Sequence, residues 1–343
     1  MRTRPLLFCA FLVACATLSG FAENCLAPGD LDEATRTALT SAAFRYFGLV
    51  AKGDATALRQ NAVASPAGDF STAETAVKNN QATFAGAKAV ARPPFLLVAE
   101  GTADIPRAEF FCGVFGSKGQ TRDSAVFTLN NLPPGKYGVV VLDAASSKGR
   151  FTVSLVLQQQ GSEWKLRNLY IRAAESTGHD SDWFAARARD FQAKGQHHNA
   201  WLYYIEAISL AAPLPIMSTA ATDQLYDESQ ELQPADFPAE GKTADLSVGT
   251  AVGAAAGANA GTATYKLTAL FPESVGNVLD LIVKYQAADI SNTQQTYRNN
   301  VAVMKALVAK YPELREAFAG IVVRAVDPSG HDYGTLLAMR EIK

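Results

Sequence analysis

This sequence is poor in the residues that most reactive chemistry requires. Its 343 residues include four histidines and four cysteines. His197 and His198 are adjacent, so they point to different sides of a helix or turn and cannot share a metal. His179 stands near Asp180 and Asp182 without ligand spacing, and His331 precedes Asp332 just after a turn. There is no zinc motif, no Gly-x-Ser-x-Gly elbow and no cysteine with a recognisable histidine partner. The glycine strings within 113–119 lack the lysine context of a phosphate loop. Glu100, Glu109 and Asp143 fall near strand ends, where a single carboxylate is ordinarily solvated. These absences argue against a metal centre, a cofactor and a catalytic role.

Charge of one sign is also missing. With 31 basic and 33 acidic residues, a net charge of −2 and no run of like charges, the chain has no field to hold a phosphate backbone, so nucleic acid is not an expected partner. Long apolar runs are absent too. The run at 6–13 is far short of the ~20 residues a membrane helix needs, and no later segment supplies one.

What is present begins at the N-terminus. Arg2 and Arg4, the apolar run and the small residues after it follow the order of a secretory signal spanning 1–22, which implies export to the periplasm or the bacterial outer surface. Two processing sites compete. Cleavage after Gly20-Phe21-Ala22 leaves Glu23 as the first residue; Leu12-Val13-Ala14-Cys15 instead resembles a lipobox, in which Cys15 carries the lipid anchor. Cys9 and Cys15 both lie in this region, which leaves Cys25 and Cys112 in the body of the chain. In an oxidising compartment those two thiols are expected to form one disulfide, contributing about 4 kcal/mol by restricting the unfolded chain. The alternative is a buried Cys112 and a free Cys25.

Pattern divides the remainder, and 48% hydrophobic content is enough for two or three cored domains of α+β class. Residues 31–52 read as a helix capped by Asp30, with Leu39, Ala43, Phe47 and Val50 on one face and Gly53 as its stop. Asp54 caps a short helix to 63, and a third spans 71–84 after turn signals at Pro66 and Gly68. From 95 onward, short β-branched and aromatic runs predict strands at 95–100, 109–115, 125–129, 136–143, 150–158 and 163–171. In the last pair, Phe151, Val153, Leu155 and Leu157 alternate with polar residues, and a turn at Gly161 leads to Trp164 and Leu166.

Helices followed by a meander ending in a V-x-L…G-x-x-W-x-L hairpin are similar to the nuclear-transport-factor-two-like fold, a cystatin-like cone of helices on a curved antiparallel sheet. The resemblance covers 30–173 and implies a cavity. The acid or base that catalytic members of that superfamily place inside the cone is not found. If the cavity binds a ligand, Tyr137, Asp143, Trp164 and Tyr170 are the lining candidates.

Phe184, Phe191, Gly195, Ala200, Tyr204, Ala207 and Pro213 resemble a single tetratricopeptide repeat, although Arg187 and Ala188 replace the expected Leu-Gly pair. One repeat cannot bury its own apolar face, so the hairpin is expected to dock on the preceding domain. Prolines at 213, 215, 234 and 238, then glycines at 249, 253, 257 and 261, read as a connector. Beyond it, strands at 265–270 and 278–286, a helix with a Ser291/Gln294 capping box and the stripe Tyr297, Val301, Met304, Val308 and Tyr311, a stop at Pro312 and a terminal hairpin at 321–342 make a small α+β unit. The expected division is therefore a signal peptide at 1–22, a cone at 30–175, a helical hairpin at 180–212, a linker at 213–262 and a small domain at 263–343.

The functional expectation is a non-catalytic exported module that binds another envelope protein. The alternatives are an enzyme or small-ligand binder using the cone, and a peptide-binding adaptor built on the hairpin.

Overall fold

A computed structural model describes residues 23–63, 70–115, 119–121, 123–249 and 262–343. The signal segment with its two processing sites, Cys9 and Cys15, the turn at Pro66 and Gly68, and Gly253, Gly257 and Gly261 lie outside the described residues. The chain is α+β. Among the described residues no helix is long and apolar enough to cross a membrane.

Helix α1 (Glu33–Lys52) is capped by Asp32 rather than Asp30, with the Thr35 amide donating to Asp32 Oδ1 at 2.8 Å. Gly53, at φ 70°, ends it. The expected stripe is buried and is widened by Ala42 and Tyr46. Asp54 caps α2 (Ala55–Gln60), and α3 spans Ser71–Phe84.

These helices cover one face of a six-stranded antiparallel sheet made of β1 (Glu23–Leu26), β2 (Lys88–Ala91), β3 (Phe95–Ala99), β6 (Gly135–Ser146), β7 (Gly149–Gln160) and β8 (Glu163–Ala173). Both β2 and β3 pair with β6, end to end along it, because Pro93 and Pro94 interrupt the run between them. The strands β4 (Ile105–Cys112) and β5 (Ala125–Leu132) were expected to continue this sheet, but they leave it and form a separate three-stranded sheet with β9 (Met217–Ser218). The reason lies in β6: Val139, Val140, Val141 and Leu142 are all buried, so both faces need cover. Val140, Leu142, Val153 and Leu155 meet the helices. Leu97, Tyr137, Val139 and Val156 meet Phe110, Phe127 and Leu132 of the second sheet. The expected bridge is present: Cys25 and Cys112 form a disulfide between the two sheets, with their Cα atoms 5.1 Å apart.

Helices α4 (Ser181–Ala193) and α5 (His197–Ala211) make the hairpin, turning at Gly195 with φ 76°. It docks forward, not backward. Phe184, Phe191, Trp201 and Tyr203 share one apolar core with Leu267, Leu281, Phe318 and Ile321 of the C-terminal part, where the preceding domain was the expected support. The stretch read as a linker is built into the fold up to Gly249: it contains β9, α6 (Ala220–Gln230) and β10 (Ala244–Gly249). Its widely spaced apolar residues Leu214, Leu225, Phe237, Leu246 and Val248 are buried anchors, too sparse to register as periodicity beside the prolines.

The C-terminal sheet has the order β10, β11 (Thr262–Val275), β12 (Val278–Gln286), β13 (Gly320–Val326), β14 (Asp332–Ala338). Strands β12 and β13 are parallel, joined through α7 (Thr293–Lys310) and the short α8 (Leu314–Ala317). Asn292, not a Ser291/Gln294 box, caps α7 by accepting from the Gln295 amide at 3.0 Å, while Asp289 holds Ser291. The buried stripe of α7 is rotated to include Thr296, Asn300, Val303 and Leu307, leaving Tyr297 exposed, because the helix lies across β10, β13 and β14 together.

Candidate functional site

The four sequence-level ligand candidates do not converge. Tyr137 is fully buried between the two sheets and donates its hydroxyl to the Pro133 carbonyl at 2.6 Å. Trp164 sits in the core under α1, on the opposite face of the sheet. Tyr170 is half-buried at the edge of the inter-sheet core. Burial pushes both tyrosine hydroxyls above their ordinary pKa. Asp143 stands six residues along β6 from Tyr137, about 20 Å away at the rise of a strand. Aromatic and aliphatic side chains, Phe110, Phe127, Val139 and Val156 among them, fill the space between the sheets. The other acids considered are no better placed: Glu109 pairs with Arg107 at 2.8 Å and Glu100 is exposed.

Asp143 instead opens onto a cleft of about 880 Å³ where the ends of β2, β6 and β7 face α4, α5 and α6. Strand alternation delivers Lys88 and Val90 from β2, and Val90 is 69% exposed. The Arg92 amide bonds to the Val141 carbonyl at 2.8 Å, which aims the guanidinium at Asp143: Nε to Oδ2 at 3.0 Å and Nη2 to Oδ1 at 2.8 Å. On the adjacent strand, Arg150 donates to Glu175 Oε2 at 2.6 Å and reaches Asp180 Oδ2 at 3.5 Å. Glu175 raises the guanidinium pKa further. Glu175 also accepts from the Arg150 amide, and its Oε1 lies 3.0 Å from where a Cβ on Gly149 would stand, while the φ of 119° at Gly149, which opens β7, favours glycine there. Asp180 caps α4 through the Trp183 amide, and the His179 ring stacks on Trp183 at 3.8 Å. His179 is thus committed to stacking and Asp180 to capping and pairing, while Asp182, in the first turn of α4, lines the cleft. Among the described residues no three His, Cys, Asp or Glu side chains gather as metal ligands.

A second polar cluster escaped sequence reasoning. His198 lies between Glu313, at 2.8 Å from Nδ1, and Asp236, at 3.2 Å from Nε2, with Tyr311 donating to Asp236 at 2.7 Å. Burial alone would raise the Asp236 carboxyl, but Tyr311, His198 and Lys310 outweigh it and hold the pKa below the usual range. This cluster ties α5 to the α7–α8 corner and is enclosed by Phe237 and Tyr311 rings. Only adjacency in the fold marks it, since its members lie on three separate segments. No protein-family model, curated protein or solved structure matches the chain.

Proposed function

We propose that this chain is an exported, non-catalytic envelope protein that works as a binding or assembly module, in the periplasm or on the outer surface, with lipidation at Cys15 as the means of anchoring if the lipobox is used. The observation that carries this reading is the cleft. Arg92 is paired with Asp143 and Arg150 with Glu175 and Asp180, no nucleophile is held against a base among the described residues, and the exposed Val90 and Lys88 stand at its mouth. Such a surface suits a polar protein segment with one or two apolar side chains. The Cys25–Cys112 disulfide supports an oxidising compartment. An enzymatic cone is less well supported, because Tyr46, Phe47, Phe84, Leu142 and Leu155 fill the space between the helices and the sheet. A hairpin adaptor is also less well supported, because the inner faces of α4 and α5 are spent on the C-terminal sheet.

A photo-crosslinking residue at position 90, compared with one at the exposed Tyr297, tests the proposal in envelope preparations. A single protein adduct is expected from position 90 alone, weakened by Lys88→Glu. Equal adducts from both positions, or turnover of a small substrate by the purified protein, would overturn it.

A further inference from the structure

A separate cavity of about 650 Å³ opens at the end of the C-terminal sheet where β12 and β13 begin and β14 ends. Its wall is mostly aliphatic: Val278, 46% exposed, and Leu336, 51% exposed, face it with Ala338 and Met339. Two such exposed side chains around one hollow are a cost that an occupant would remove. Within this wall sits Asp280, only 2% exposed. Among the described residues no ion pair reaches Asp280; its carboxyl is met by the Gly320 main-chain N–H, and burial raises its pKa above the ordinary value. Gly320 keeps the space over that carboxyl open, since an added Cβ would lie 3.0 Å from Asp280 Oδ1 and 2.7 Å from the Leu337 carbonyl. At the rim, Arg315 is fastened to the Met339 and Ile342 carbonyls at 2.9 and 2.7 Å, while Arg340 is exposed and makes no ion pair among the described residues.

A buried carboxylate without a cation, an aliphatic wall and an unengaged guanidinium are three separate halves of interactions. We propose that this cavity binds a small zwitterion with an aliphatic body, an α-amino acid or short peptide, whose ammonium meets Asp280 and whose carboxylate meets Arg340. An anionic amphiphile would use the rim and wall but leave Asp280 facing apolar chain. A cationic amphiphile would leave Arg340 idle. This site lies apart from the cleft and does not depend on the reading given to it.

Calorimetric titration of the full mature protein with L-leucine and with Leu-Leu tests the assignment and separates the free amino acid from the peptide. One of the two is expected to bind, with N-acetyl-leucine and leucine amide at least tenfold weaker. Asp280→Asn, which keeps the shape, and Arg340→Ala, on the surface, are each expected to weaken binding by at least tenfold without lowering the thermal midpoint. Leu336→Asp, at an exposed position, serves as a second wall variant if Asp280→Asn does not fold. Binding of N-acetyl-leucine equal to that of leucine, undiminished binding by folded Asp280→Asn, or no saturation by either probe at millimolar concentration would overturn the proposal.

Discussion

Removing the disulfide should weaken the N-terminal unit more than any single surface change. Cys25 is on β1 and Cys112 ends β4, so the bridge joins an edge strand of the large sheet to the small sheet across 87 residues of chain. In the chain-entropy account a loop of that length contributes about 4.6 kcal/mol. The native strands retain other ties: β1 still pairs with β3 from Glu23↔Ala99 to Leu26↔Leu96. The double variant Cys25→Ala/Cys112→Ala should therefore fold, with β1 as its weakest part. At an m-value of about 2.5 kcal/mol/M in urea, the expected loss lowers the midpoint by about 1.8 M. The assay is urea unfolding without reductant, followed by hydrogen exchange resolved to β1 and to β6–β7. Exchange should rise first at the amides of residues 24 to 26, and the β6–β7 amides should open at the lowered urea midpoint. A midpoint shift below about 0.4 M, equivalent to about 1 kcal/mol, with β1 as protected as before, would refute the view that loop restriction holds the two sheets together.

Other outcomes are equally specific. Gly138→Ala places a Cβ 2.0 Å from Leu39 Cδ2 in the fully packed contact between β6 and α1, so it should cost about 1–3 kcal/mol, and adding Leu39→Ala should cost less than the sum of the two single changes in the same urea assay. The Glu228 carboxyl is held near a pKa of about 2, chiefly by Arg189 and then, against burial, by Tyr204 and Gln224. Because the folded value is depressed, its contribution to stability is complete above about 4.5 and is lost as pH falls toward about 2, so Glu228→Gln should flatten the acid side of the stability profile in that window. Leu214→Ala empties a fully buried position in the inter-sheet core and should cost about 2–5 kcal/mol, freeing first the Thr128 amide that donates to Ile216 O at 2.9 Å, as exchange would show.

How much of this could be read from residues alone follows from what each feature depends on. Helices α1 and α3 and strands β6 to β8 were legible because one buried face imposes its period on a long stretch: Leu39, Ala43, Phe47 and Val50 on α1, Phe151 to Leu157 on β7. The helical hairpin was legible for the same reason, with small residues at Ala200 and Ala207 where the helices approach. Strands β1 and β2 have four residues each and exist because β3 and β6 offer them edges, so no local pattern announces them. The departure of β4–β5 was visible only in hindsight, as a valine run on β6 too apolar for a sheet covered on one side. The disulfide was legible by elimination, two cysteines remaining outside the stretch that reads as a secretory signal. The cleft was not. Arg92, Asp143, Arg150 and Asp180 come from four segments, and each looks like an ordinary surface charge until the strands and α4 bring them together.

A segment within the stretch expected to be a linker fixes the shape of the cleft. Residues 213–218 leave α5 and run into the N-terminal unit: Ser154 Oγ donates to the Pro213 carbonyl at 3.0 Å, Leu214 enters the inter-sheet core, and Met217 and Ser218 pair with Phe127 and Val126. The chain then turns back through Thr219, whose capping box with Thr222 starts α6 beside the cleft. Strand ends carrying Asp143 and Arg150 and helices carrying Asp180, Leu210 and Leu225 are thereby held to one another on both sides of the opening, by main-chain pairing on one side and the Arg150–Asp180 contact on the other. Ion pairs as exposed as these contribute little to stability by themselves. Their arrangement is retained by the cores beneath them, so their charges remain available to be exchanged for those of a partner without unfolding the walls that present them.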